Sequence, residues 1–288
     1  MIGPLDRLLR TRPVRTIATG TAFLLFFFYG SFQAWVVLPL ARLWARLHGA
    51  SRAELNRLSR RIVGGSWRFF HGYMRWLRLI DYDPRQVGAT LPDGPFVLIA
   101  NHPTLIDVTA LVAFHPDTAC VAKTSMFNNP ALGPLLRACE HIDGGNGGLF
   151  SGAAVVSAGI QRLEAGIPVL IFPEGTRSPE RGLGAFRQGA YEMAERAGVP
   201  LVEMVVTCDP PTLMRGQAWY EIPPHTATLR VGLLAIQKPP FTQDARQLML
   251  ESQRRYREHL EKIGAIGPRE APQTQQPQSQ PTEDQQVA

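Results

Sequence analysis

From Thr16 to Ala41 the chain reads TIATGTAFLLFFFYGSFQAWVVLPLA, twenty-six residues without a charge, closed off by Arg15 and Arg42. A helix needs roughly 20 apolar residues to cross a bilayer, so this segment commits the chain to a membrane. A secretory signal is the competing reading, because four arginines precede the run. The run is too long for one, and no small-residue cleavage site follows it. Crossing and re-entrant arrangements both remain open. Arginines at both ends leave the orientation unset.

The charge distribution agrees. Residues 1–80 hold 13 arginines against Asp6 and Glu54, which is +11 and leaves −5 on residues 81–288 of a chain whose net charge is +6. A basic first quarter on a mildly acidic body predicts one face that meets a polyanion. Next to an uncharged segment, that polyanion is a lipid surface and not nucleic acid. Ser51 and Glu54 have the spacing of a capping box and start a helix. Its sequence, SRAELNRLSRRIVGGSWRFFHGYMRWLRLI, interleaves arginine with Trp67, Phe69, Phe70, Tyr73 and Trp76, a pattern that suits the headgroup region.

From residue 95 the pattern changes to short apolar runs alternating with helical stretches. Strands are expected at 96–100, 118–123, 168–172, 200–206 and 227–235. Helices are expected near 104–114, 130–138, 150–165, 185–197 and 242–262. The fold class is therefore α/β, layered, with a mostly buried sheet, preceded by a hydrophobic membrane helix and a basic aromatic helix. Three parts follow: a membrane-attachment segment at 1–50, a globular domain at 51–265 and a Pro/Gln-rich tail at 266–288 that cannot bury enough surface to order itself. Cys120, Cys139 and Cys208 are odd in number and widely spaced, so they indicate neither a disulfide framework nor a zinc site.

Two strings at expected strand ends carry chemistry. The first is NHPTLIDV, Asn101 to Val108. Pro103 disfavours a helical conformation at His102 and suits the first position of a helix, which puts Asp107 on that helix's second turn. The break lets the imidazole fold back onto the carboxylate, which fixes the tautomer and leaves the other ring nitrogen as a base. Taken alone, the pair favours a structural histidine. The second string is IFPEGTRS, Ile171 to Ser178. Gly175 permits close backbone approach, Thr176 adds a hydroxyl and Arg177 a planar fork that matches phosphate. Glu174 either holds Arg177 or meets the substrate, and a plain turn with a surface ion pair is the alternative to a site.

Together, a His-x4-Asp at one strand end and Phe-Pro-Glu-Gly-Thr-Arg about 70 residues later resemble the lysophosphatidate (glycerolipid) acyltransferase family, over roughly residues 65–235. The resemblance implies an acyltransferase domain at 51–265. In it His102 is the general base, oriented by Asp107, and deprotonates a lipid hydroxyl that attacks an acyl thioester. The donor is an acyl carrier protein or coenzyme A thioester and the acceptor a lysophospholipid, with no metal or other cofactor. Arg177 and the backbone near Gly175 hold the acceptor's phosphate, while Lys123 matches a basic position before the family's second motif. A membrane location is implied, in a bacterium the inner membrane with the domain on the cytoplasmic side.

Two departures from the family pattern bear on the acceptor. The second motif usually ends in Phe-Ile-Asp-Arg, whereas here His141, Ile142 and Asp143 are followed by Gly144 in EHIDGGNGG. The fourth motif keeps Val199 and Pro200 but has Glu203 where many members have a second proline. The acceptor is thus lysophosphatidate-like, or another lysolipid or a specialised lipid alcohol. A hydrolase or transacylase using the same pair and a non-catalytic membrane scaffold are the rivals.

Overall fold

The computed structural model describes residues 11–267 apart from residues 89, 146–148 and 181. Arg7, Arg10 and the tail from residue 268 onward lie outside the described residues. The strands are β1 Ile80–Asp81, β2 Val97–Ala100, β3 Ala119–Ala122, β4 Ile142–Asp143, β5 Val169–Ile171, β6 Leu201–Asp209 and β7 Ala227–Gln237. They form one seven-stranded sheet in the order β1-β7-β6-β2-β5-β3-β4. Only the β6–β7 pair is antiparallel. The five expected strands are all present. β1 and β4 are two residues each, too short to leave a hydropathy pattern.

Every side chain of β2 is buried, because helices cover both faces of the sheet. On one face Leu98 and Ala100 pack with Phe70 and Met74 of α3 (Arg52–Trp76) and with Leu111 and Val112 of α4 (Asp107–Phe114). On the other, Val97 and Ile99 pack with α7 (Leu149–Glu164), α8 (Gly189–Ala197) and α9 (Ala245–Lys262). Two short helices, α5 (Thr124–Phe127) and α6 (Gly133–Ala138), lie between β3 and β4.

The apolar N-terminal segment is helical throughout: α1 Arg12–Phe32, a π-turn at Gln33–Val37 and α2 Leu38–Leu47. It is the one described helix long and apolar enough to cross a membrane. It is also bound to the domain. Arg15 donates to the carbonyls of Arg78 at 2.7 Å and His225 at 3.0 Å. Arg42 donates to the carbonyl of Leu55, Asn56 Oδ1 and Ser59 Oγ. Between them Ala18 and Ala22 enter the core, and Phe26 stacks on Trp67 with ring centroids 5.3 Å apart.

The capping box at Ser51 and Glu54 is present and starts α3 as expected. Three arginines of α3, however, are bound to the protein. Arg60 pairs with Glu140 at 2.8 Å, Arg68 donates to the carbonyl of Ala113, and Arg75 pairs with Asp81 and Asp83. Arginine–aromatic interleaving describes this packed helix as well as it describes a lipid-facing one.

Candidate active site

Strands β2, β5 and β3 are neighbours and parallel, so their carboxyl ends open on one edge of the sheet, where ligands bind in α/β folds. That edge gathers His102 after β2, Phe172 to Arg177 after β5 and Lys123 after β3. The side chain of Asn101 continues the ladder beyond β2: its amide donates to the carbonyl of Val206 and accepts from the N–H of Val206, both at 2.8 Å. His102 therefore leaves a fixed strand end.

Asp107 sits in the first turn of α4, not the second, and Pro103 precedes the helix rather than opening it. The reason is local hydrogen bonding. The Thr104 N–H donates to Asp107 Oδ2 at 2.6 Å and the Thr104 hydroxyl donates to Oδ1, closing a turn over residues 103–106 that helical continuation would break. With both oxygens of Asp107 acting as acceptors, His102 Nδ1 donates to Oδ2 at 2.9 Å. Its Nε2 is left on the cavity side. Asp107 is completely buried, which pushes its carboxyl up, while the bonds from His102 and Thr104 pull against that rise. The imidazole stacks on Phe172, with centroids 4.2 Å apart, so its ring plane is set as well as its tautomer.

The two sequence strings are joined through their backbones. The His102 N–H donates to Glu174 Oε1 at 3.0 Å and to Ser178 Oγ at 3.3 Å, and the Ser178 N–H donates back to the His102 carbonyl at 2.7 Å. Glu174 Oε1 also accepts from the Ser178 hydroxyl, and Oε2 accepts from the Gly184 N–H. Glu174 is 5% exposed and is not part of the cavity wall. It neither holds Arg177 nor faces a substrate, because its oxygens are taken up in tying the two strings together. Thr104 and Ser178 belong to this site although the sequence reading singled out neither. Both stood inside the strings, and only the fold shows what their hydroxyls bind.

A cavity of about 1300 Å³ opens at this edge. Drug-sized pockets run to roughly 1,000 Å³, so this one suits a lipid. Its apolar part is walled by Phe23 and Phe26 of α1, Leu135, Val155 and Val156. Its polar part carries His102, Lys123, Gly175, Thr176 and Arg177, together with Arg187 and Arg215, which sequence reasoning missed. No aspartate or glutamate lines it among the described residues. Arg177 Nη1 donates to the carbonyls of Leu213 at 3.1 Å and Met214 at 2.9 Å, so part of its fork holds the loop after β6.

Gly144 and Gly145 line the cavity where the resemblance would have an arginine, while residues 146–148 of that glycine cluster lie outside the described residues. Glu203 is fully buried away from the cavity. Arg255 Nη1 reaches both its oxygens at 2.7 Å and Gln237 donates to Oε1, so this departure from the motif anchors α9. Cys120 and Cys139 are buried free thiols, pushed up to about 12 by burial.

An acyltransferase family profile matches residues 83–207. The chain is 39% identical over 119 residues to the 1-acyl-sn-glycerol-3-phosphate acyltransferase of Escherichia coli (strain K12), a match that covers 40% of this chain and 47% of that protein. It is 32% identical over 115 residues to the 1-acyl-sn-glycerol-3-phosphate acyltransferase of Chlamydomonas reinhardtii, covering 40% of this chain and 35% of the other. The chain thus spans between a third and a half of the length of these curated relatives. Its fold is similar to the crystal structure of the 1-acyl-sn-glycerophosphate acyltransferase PlsC from Thermotoga maritima, with a TM-score of 0.65 and 17% identity, over 90% of this chain and all of the other.

Proposed function

We propose that this chain, whose residues 83–207 match an acyltransferase family profile, transfers a fatty acyl group from a carrier-protein or coenzyme A thioester to the free hydroxyl of lysophosphatidate. The observation that carries this reading is the His102–Asp107 bond at 2.9 Å, with the second imidazole nitrogen facing a large cavity that is apolar in one part and cationic in the other.

His102 Nε2 takes the proton of the acceptor hydroxyl as its oxygen attacks the thioester carbonyl. The carbonyl electrons move onto oxygen, giving a tetrahedral oxyanion. Its collapse forms the ester, breaks the C–S bond and expels a thiolate, which takes the proton back from His102. Asp107 keeps the imidazolium paired while the proton is held. Glu174 acts as a brace for the His102 backbone, and Thr176, Arg177 and Lys123 face the acceptor's headgroup. No hydroxyl bonds His102 Nε2 among the described residues, and those of Thr104 and Ser178 are spent on Asp107 and Glu174. Direct attack by the acceptor is therefore favoured over an acyl-serine route.

The same reading places α1 and α2 at a bilayer surface, with residues 51–265 as the catalytic domain beside it. In a bacterium that surface is the cytoplasmic side of the inner membrane. The test is acyl transfer by His102→Ala, purified and shown by thermal melting to fold like the parent. Removal of a general base costs about 10²- to 10⁴-fold in kcat. A variant that keeps the parent rate defeats the mechanism.

A further inference from the structure

The phosphate of a lysophosphatidate carries about −1.5 to −2 charges, as a phosphate monoester does, and among the described residues the cavity wall offers four cations: Lys123, Arg177, Arg187 and Arg215. They are not equivalent. One nitrogen of Arg177 is already shared between the carbonyls of Leu213 and Met214. Arg187 is held at its backbone, where its N–H donates to the Pro173 carbonyl at 2.8 Å. Its guanidinium lies directly on Gly175: a Cβ built there would stand 2.8 Å from Cζ and 2.9 Å from Nε. Gly175 has φ +67°, so two constraints require glycine at that position, the left-handed backbone and the arginine above it. Among the described residues no carboxylate pairs with Arg187 and no carbonyl accepts from its side chain.

An arginine that is exposed, seated on a glycine and left without a partner presents an open planar fork to the cavity. We propose that Arg187 makes the bidentate contact to the acceptor's phosphate, in place of the arginine that the chain lacks after Asp143. Arg177 then serves mainly as the clamp on the loop at 213–214, and Lys123 supplies a point charge. The inference rests on the acyltransferase reading and specifies which side chain selects a phosphorylated acceptor. It also gives Gly175 a second purpose, as the seat of that side chain.

The test compares the full-length protein with Arg187→Ala, Arg187→Gln and Arg187→Lys in detergent, using lysophosphatidate and monoacylglycerol as acceptors. Loss of a charge-assisted bidentate contact weakens binding by roughly ten- to a hundredfold. Arg187→Ala and Arg187→Gln are expected to raise KM for lysophosphatidate by that factor and to change kcat by less than about threefold. Selectivity over monoacylglycerol should fall in parallel, and Arg187→Lys should restore part of both. An unchanged KM in a variant whose parent transfers acyl groups overturns the assignment. So does a fall in kcat with KM held, which would mark a structural role. If the parent itself transfers nothing, the acyltransferase reading fails, and retention of labelled short-chain lysophosphatidate decides the matter for Arg187. Equal retention by parent and Arg187→Ala overturns it, and loss in the variant sustains it.

Discussion

Asp107 has three donors aimed at its carboxylate and no solvent contact, so its only variable is what His102 does above it. Asp107→Asn isolates that variable. An asparagine keeps the volume but carries no charge: with its oxygen in the place of Oδ2 it still accepts from the Thr104 N–H and from His102 Nδ1, and its N–H₂ turns to the Thr104 hydroxyl, which then accepts. The ring keeps its tautomer, but the imidazolium formed when Nε2 takes a proton has lost its anionic partner. The expected result is a loss in kcat of about 10²- to 10⁴-fold with KM little changed, measured by steady-state acyl transfer. The His102–Asp107 pairing was legible in NHPTLIDV because Pro103 excludes a helix through His102. The depth of Asp107 in α4 was not, since it depends on a turn closed by the Thr104 hydroxyl. Glu174 shows the limit more sharply. Beside Arg177 in sequence it reads as an ion-pair partner, yet β5 turns it toward His102 and Ser178, which are 72 and 4 residues away.

At the scale of elements, α4 carries Asp107, and it is held against α3 by a buried polar contact. The Thr109 hydroxyl donates to the Ile106 carbonyl, so it must accept from His71, whose Nε2 lies 3.1 Å away. That leaves Nδ1 of His71 buried without a partner, edge-on beside Tyr82. Burial lowers the His71 pKa from 6.5 to about 3. The unfolded chain therefore binds a proton near pH 6.5 that the folded one refuses until about pH 3. Stability from this group is complete above pH 6.5 and is lost as the pH falls through that window, by up to about 1.4 kcal/mol per pH unit. Denaturant unfolding in detergent at pH 7, 6 and 5 should show this slope, and His71→Gln should flatten it by about one proton. An unchanged slope in the variant excludes His71 as the source. Contacts of this kind have no sequence signature. β2 and β6 were legible because burial on both faces keeps their runs apolar, and β7 because buried residues alternate along its first half. Glu203 breaks such a run, and the reach of Arg255 from α9, with the amide of Gln237, explains how a carboxylate is accommodated in β6.

For the whole molecule, the question left by twenty-six uncharged residues is whether they cross the bilayer or lie along it. Residues 12–47 make about 54 Å of helix at 1.5 Å per residue, against a hydrocarbon core of roughly 30 Å. Arg15 near one end and Arg42 near the other are both bound to the domain, so the helix cannot stand across a membrane without pulling the domain in with it. The sequence alone could not distinguish these arrangements, because small residues such as Ala18 and Ala22, which face the core, are as compatible with lipid as with protein. The outward face is different: Leu24, Phe28, Leu43, Trp44 and Leu47 are 72%, 80%, 55%, 64% and 76% exposed. Phe23 packs on Trp219 and Tyr29 on Phe69, which extends this apolar surface onto the domain next to the cavity wall. On the proposed function, this surface gives an acceptor lipid an apolar path from the bilayer toward His102. Changing Leu24, Phe28 and Leu43 together to serine removes three side chains worth roughly 1.5 kcal/mol or more each on burial, which is about a thousandfold or more in partitioning. Flotation with vesicles should show the triple variant released while its melting temperature in detergent stays near that of the parent. Activity should persist on micellar acceptor and fall on vesicle acceptor. A helix that crosses the bilayer would instead keep the variant membrane-bound, and tags at Met1 and Ala288 would then be digested from opposite sides.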